Sequence, residues 1–140
     1  MRVWLYVLVI FAGLSVGNSV KAQEVMAPEP GIEAAIGAQI DAFLIDDFAE
    51  AFTYASPMIQ GMFGTSDRFG QMVQNGYPMV WRPGDVEYLE LRDVAGALWQ
   101  RVMIRDRLGG VHMLDYQMIQ VGGDWRINGV QLLRAPDVGA

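Results

Sequence analysis

Apolar positions at Ile32, Ile36, Ile40, Phe43 and Leu44 draw one stripe along a helix. Asp46 and Asp47 interrupt it, and Asp47 with Glu50 three residues on forms a capping box for a second helix through Phe48, Ala51 and Phe52. Ser56-Pro57 places an N-cap before a proline at the first helical position and starts a short third helix that Gly61 and Gly64 end. Thr65 or Ser66 caps a fourth, carrying Phe69, Met72 and Val73, with Asn75-Gly76 as its left-handed close. The period then changes. Segments 86–92, 98–105, 111–121 and 125–133 are rich in β-branched and aromatic residues, and hairpin-sized turns at 93–96, 106–110 and 122–123 separate them. The pattern predicts an α+β domain, with short N-terminal helices packed on an antiparallel four-stranded meander.

Tight turns also predict a register. With 106–110 as the loop, Ile104 faces His112, Val102 faces Leu114, Gln100 faces Tyr116 and Leu98 faces Met118. With Gly122-Gly123 as the next, Met118 faces Ile127, Tyr116 faces Gly129 and Leu114 faces Gln131. Leu89 and Leu91 then lie across from Gln100 and Leu98. One face becomes apolar with a few polar groups: Glu87, Gln100, His112, Tyr116 and Gln131. The other holds Tyr88, Trp99, Met103, Met113, Ile119, Val130 and Leu132, with Arg101 opposite Asp115 as an ion pair. A bulge in the long third strand would shift these assignments. Helices cover one face only, so Trp99, Met103, Met113, Val130 and Leu132 form a patch that soluble monomers avoid, and a homodimer packed sheet to sheet is expected.

Ahead of this domain, Arg2 supplies a positive start and residues 3–16 an almost unbroken apolar run, ending in Val20-Lys21-Ala22 before Gln23. Small side chains at the last and third-last positions fit a signal peptide, 1–22, cut after Ala22. A retained anchor is the rival, but the uncharged stretch is short for spanning and diluted by Gly13, Gly17 and Asn18. Gly13-Leu14-Ser15-Val16-Gly17 spells a nucleophile elbow, yet it lies in the leader, without the strand, helix, histidine and acid that the elbow requires. Residues 23–31, with Pro28 and Pro30, read as a flexible entry segment, 32–134 as one domain and 135–140 as a tail. The expected compartment is a periplasm or the exterior, with no membrane contact after cleavage.

Charge and composition narrow the function. The chain has 10 basic and 16 acidic residues, net −6, and loss of Arg2 and Lys21 takes the mature part to −8. Such a surface repels phosphate backbones, so nucleic acid is not an expected partner. Cysteine is absent, which excludes disulfides, thiol nucleophiles, thiolate metal sites and a lipoprotein anchor. The sole lysine, Lys21, leaves with the leader, so no mature Schiff base can form. No metal-protease, phosphate-loop or calcium-loop spacing occurs in the mature chain, and no metal or cofactor is expected.

The acid–base constellation that remains is His112, the only histidine, with Tyr116 and Glu87 across the sheet. The plainer account of His112 is a half-solvated polar group near a hairpin end. Methionines and aromatics at Met58, Met62, Met72, Tyr77, Met79 and Trp81 either fill an irregular core or shape a plastic apolar pocket. In the pocket reading the lining is Met72, Tyr77, Trp81, Arg82, Gln100, His112, Tyr116 and Gln131, with Arg82 at the rim.

The closing segment Gly122-Gly123-Asp124-Trp125-Arg126-Ile127-Asn128-Gly129-Val130 resembles the last strand of nuclear-transport-factor-2-like domains, which implies a cone-shaped α+β fold with a curved meander. Ala55-Ser56-Pro57-Met58-Ile59-Gln60-Gly61-Met62-Phe63-Gly64 and Gly76-Tyr77-Pro78-Met79-Val80-Trp81-Arg82-Pro83 come first, with Trp99-Gln100-Arg101-Val102 and Asp115-Tyr116-Gln117-Met118 downstream. In these words the chain resembles, over 32–133, the bacterial family described as domain of unknown function 4864. That resemblance implies an exported cone-fold protein and transfers no catalytic residue. The expected role is a small exported binding or accessory domain for a small apolar ligand. The alternatives are a cofactor-independent cyclase or isomerase using His112 with Tyr116 or Glu87, and an interaction module docking on an envelope protein.

Overall fold

The computed structural model describes residues 23–134. The leader, the cleavage point after Ala22 and the tail 135–140 fall outside the described residues. The chain begins with a strand, β1 (Gln23–Met26), followed by α1 (Pro30–Leu44), α2 (Phe48–Thr53), α3 (Pro57–Phe63), α4 (Ser66–Gly76) and α5 (Pro78–Trp81). Strands β2 (Pro83–Val94), β3 (Ala97–Asp106), β4 (Val111–Val121) and β5 (Asp124–Leu133) complete an α+β domain. The strands form one antiparallel sheet in the order β1-β2-β3-β4-β5. No described helix is long and apolar enough to cross a membrane.

The helices start where local chemistry dictates. Asp47, Ser56 and Thr65 accept hydrogen bonds from the backbone N–H of Glu50, Ile59 and Arg68, each three residues on. Pro30 and Pro57 occupy first turns, where no N–H is required. On α1 the buried residues Ile32, Ile36, Gln39, Ile40 and Phe43 form the stripe facing the sheet. At the other end of α4, glycine does not close the helix. Gly76 stays helical, and Tyr77 caps α4 and opens the single turn of α5 at Pro78. The β2–β3 and β4–β5 turns have positive φ at both central residues, Ala95-Gly96 (53° and 92°) and Gly122-Gly123 (59° and 89°). This twist suits two-residue hairpins.

Three features correct the expectations above. The sheet has five strands, not four, because 23–26 is not a flexible entry: Gln23 pairs with Val94 and Met26 with Leu91 along the edge of β2. Four residues before two prolines show no alternation of their own; pairing with β2 makes them a strand. Second, the β3–β4 ladder follows the loop, with Gln100 opposite Tyr116 and Ile104 opposite His112, but β2 carries an extra residue between Tyr88 and Leu91. Tyr88 therefore faces Val102 on the helix side, and Glu87 faces Met103 on the other. Third, β5 rather than the third strand of the meander is bulged, at Asn128 between Ile127 (opposite Met118) and Gly129 (opposite Gln117). Beyond it Val130 faces Tyr116, Leu132 faces Leu114 and Gln131 faces Asp115, the reverse of the predicted faces.

The core lies between α1 and the helix-side positions of β3 and β4, where Val102, Ile104, Leu114, Tyr116 and Met118 are buried. Phe69 centres an aromatic group, with ring centroids 5.3–5.9 Å from Phe52, Phe63 and Phe43. The other sheet face carries an unexpected buried ion pair. Arg92 Nη1 and Nη2 donate to Asp115 Oδ1 and Oδ2 at 2.8 and 2.7 Å, with side-chain exposures of 7% and 6%. Arg101, the predicted partner, is more distant at 3.4 Å and also approaches Glu90.

Candidate functional site

A cavity of about 260 Å³ lies between the helices and the β4–β5 side of the sheet. α1 contributes Gln39 and Phe43; α3 contributes Ile59, Met62 and Phe63; α4 contributes Phe69, Met72 and Val73. Ala55, Tyr77, Val80, Tyr116, Ile127, Gly129 and Val130 complete the wall. The volume exceeds the roughly 150 Å³ of a cavity that holds benzene and approaches the ~300 Å³ at which pockets take drug-sized molecules. None of α3 is fully buried, and Met62, 64% exposed, marks the solvent side.

Two links tie this end of the sheet to the helices. Ser56 N donates to Ile127 O and Ile127 N to Tyr54 O, each at 2.8 Å, so the α2–α3 turn closes the edge of β5. Ser56 Oγ also donates to Asn128 Oδ1 at 2.7 Å, and Asn128 Nδ2 donates to Gln117 Oε1 at 3.0 Å. Asn128 is thus fixed outside the cavity while Gly129 and Val130 line it.

The wall contains three polar side chains. Gln39 Nε2 donates to Ala51 O at 3.1 Å, and the Tyr77 hydroxyl donates to Val130 O at 3.1 Å. The Tyr116 hydroxyl is completely buried and has no hydrogen-bond partner among the described residues. Its burial above all, and then the nearby Tyr88 and Tyr77 phenols, push its pKa far above the ordinary range, so it stays neutral. Tyr88 is raised for similar reasons, first by burial and then by Glu33 and Asp41 on α1.

Of the predicted pocket residues, Met72, Tyr77 and Tyr116 meet at this cavity; the other five stand elsewhere. Trp81 Nε1 donates to Asp46 Oδ1 at 2.8 Å, and the Arg82 guanidinium lies 4.1 Å over the Trp81 ring. Arg82 also donates to Phe43 O at 2.7 Å and to Asp46 at 3.0 Å, which closes the α1 terminus. Hydrogen bonds from Trp81, then from Arg82, hold the Asp46 carboxyl low. Gln100 is buried beside the β2 bulge, with Nε2 donating to Leu89 O at 3.0 Å, and its Oε1 lacks a partner among the described residues. Gln131 is exposed on the face opposite the described helices because of the Asn128 bulge.

The acid–base constellation is not assembled. His112 Nε2 lies 2.7 Å from Asp106 Oδ2 at the β3–β4 hairpin, and Asp106 Oδ1 accepts from Leu108 and Gly110 N–H. The His112 bond and then that of Gly110 lower the Asp106 carboxyl. Glu87 is exposed on the opposite sheet face, opposite Met103. The wall itself contains no histidine, acid or basic side chain. Among the described residues no three metal-ligating side chains cluster.

The predicted dimer residues also divide. Trp99, Met103 and Met113 lie half-buried on the face without described helices. Val130 lines the cavity, and Leu132 faces Leu114 with half its surface exposed. Sequence spacing missed Gln39, which sits inside the apolar stripe of α1 and carries the one polar signal that could have marked it. It missed Phe43, Ile59, Phe63, Phe69, Val73 and Val80 as well, because an apolar wall residue and a core residue share one pattern.

No curated protein and no solved structure matches the chain. The sequence model for the family described as Domain of unknown function (DUF4864) matches residues 25–140, and the chain belongs to that family.

Proposed function

We propose that this is an exported, cone-type binding domain of the nuclear-transport-factor-2-like kind, whose cavity holds a small apolar molecule. One observation carries the reading: an apolar space of about 260 Å³ is walled in part by Tyr116, whose buried hydroxyl has no hydrogen-bond partner among the described residues. A polar group in that state is costly unless a partner satisfies it. The cone is supported by helices on one face and by three bulges, which bend strands. Export rests on the apolar leader and the small residues at its end. Amino-terminal sequencing of protein from the host's periplasm tests it, with Gln23 as the expected first residue.

The cavity is tested with naphthalene, followed by ligand-detected NMR and thermal shift. Saturable binding is expected, and Met72→Trp, which fills the space from α4, should abolish it. Equal binding by both proteins would place naphthalene elsewhere and end the reading.

The same domain is proposed to pair with a second copy. Trp99, Met103 and Met113 form an apolar group on the face opposite the described helices, beside the Arg92–Asp115 pair.

A further inference from the structure

Oxidation at sulfur falls on thioethers alone in this chain, because cysteine is absent and nine methionines are present. Their exposure differs widely. Met79 and Met118 are buried, and Met72, Met103 and Met113 are half-buried. Met62 is the most exposed of the described methionines at 64%, ahead of Met58 at 55% and Met26 at 39%. Met62 also belongs to the cavity wall, which Met58, one turn earlier on α3, does not join. It therefore stands at the boundary between solvent and an apolar space, on a helix with no buried residue. Oxidation turns its flexible apolar side chain into a polar one whose oxygen needs a hydrogen-bond donor. Solvent supplies that donor: the wall has no ionised side chain, and its Gln39 amide and Tyr77 hydroxyl already donate to Ala51 O and Val130 O. Holding the sulfoxide in water takes away the apolar cover that Met62 gives a ligand.

We propose that Met62 is an oxidation site through which hydrogen peroxide weakens ligand binding at the cavity. The thioether sulfur gives an electron pair to one peroxide oxygen, an S–O bond forms as the O–O bond breaks, and the second oxygen leaves with both protons as water. Sulfur is oxidised to the sulfoxide and the peroxide is reduced. The inference rests on the cavity being a binding site and adds its regulation. Met58 provides the control, being nearly as exposed but outside the wall.

Wild type, Met58→Leu and Met62→Leu are treated alike with hydrogen peroxide for the time that converts Met62 in wild type. Peptide mass spectrometry locates the sulfoxides, and naphthalene is titrated before and after. Met62 should be oxidised ahead of Met72, and the treatment should weaken naphthalene about fivefold in wild type and in Met58→Leu. Met62→Leu should keep its own starting affinity. Untreated Met62→Gln, which places a polar group of similar length there, should bind as oxidised wild type does. If wild type oxidised at Met62 keeps its affinity, or Met62→Leu loses as much, the oxidation site is overturned and the cavity reading survives. If untreated wild type binds no naphthalene, both fall. Should Met62→Leu fail to fold, Met62→Gln against wild type decides, and equal affinity overturns the proposal.

Discussion

Replacing Asp115 by asparagine isolates the ion pair on the face opposite the described helices. The carboxylate takes two hydrogen bonds from Arg92, at 2.8 and 2.7 Å, and neither side chain is more than 7% exposed. Asparagine keeps the shape and one acceptor but removes the counter-charge, and a guanidinium cannot shed its proton. Breaking a buried pair in this way costs about 3–5 kcal/mol, against ~0–1 kcal/mol for an exposed one. In a domain of roughly 110 ordered residues 1 kcal/mol is about 4 °C in Tm, so the expected fall is on the order of 12–20 °C. Urea and thermal unfolding followed by circular dichroism measure it. Arg92→Met with Asp115→Leu, which removes both charges, should recover most of the loss. A cost below about 1 kcal/mol for Asp115→Asn would show that water reaches the pair and refute the argument. The pair also has an acid signature. Burial alone would raise the Asp115 carboxyl, but hydrogen bonds from Arg92 and then Arg101 outweigh it and hold the group below its ordinary 3.8. A folded-state value below the unfolded one means the stabilisation is complete above the unfolded value and is lost as pH falls through the folded one. Wild type should therefore lose stability below about pH 4 more steeply than Asp115→Asn.

Tyr116→Phe should raise stability by about 1 kcal/mol in urea unfolding, because it deletes a buried hydroxyl that has no partner among the described residues; a loss of that size would mean the hydroxyl is bonded in the free protein. Ser56→Ala removes both the α3 cap and the bond to Asn128, and a cost of about 1–2 kcal/mol is expected; an unchanged urea midpoint would show that neither bond matters to the bulge. Gly70→Ala would put a Cβ 2.7 Å from the Phe48 ring, and the overpacking, ~1–3 kcal/mol, should exceed the gain of about 1 kcal/mol in helix preference; a stabilised variant would show that Phe48 swings aside. Sedimentation of the wild type at roughly tens of micromolar should report a dimer that Met103→Glu dissociates, and a strictly monomeric wild type would end the pairing proposal.

What the sequence made legible is what local chemistry decides. The caps at Asp47, Ser56 and Thr65 form within three residues, and the Gly122-Gly123 turn needs only its own positive φ. The β3–β4 register follows because the chain between those strands is short. Features fixed by distant partners escaped. β1 exists because β2 offers an edge, and Arg92 meets Asp115 because the two strands flanking β3 bring them together, 23 residues apart.

The Asn128 bulge shows how far one such feature reaches. Its anchors are Ser56, 72 residues away, and Gln117 on the neighbouring strand, so nothing in the period of β5 announces it. One added residue reverses every side chain after it. Val130 turns inward to Tyr116, and Tyr77 reaches its carbonyl; Gln131 turns outward beside Asp115. Without the bulge Gly129 would stand opposite Tyr116, as loop length alone predicts, and the helix side would gain Gln131 in place of apolar Val130 and Leu132. The same shift takes Val130 and Leu132 off the face opposite the described helices, leaving Trp99, Met103 and Met113 as its apolar centre. Cavity and proposed pairing face are therefore set by one insertion. A variant that disturbs the Ser56–Asn128 bond should alter ligand binding and self-association together.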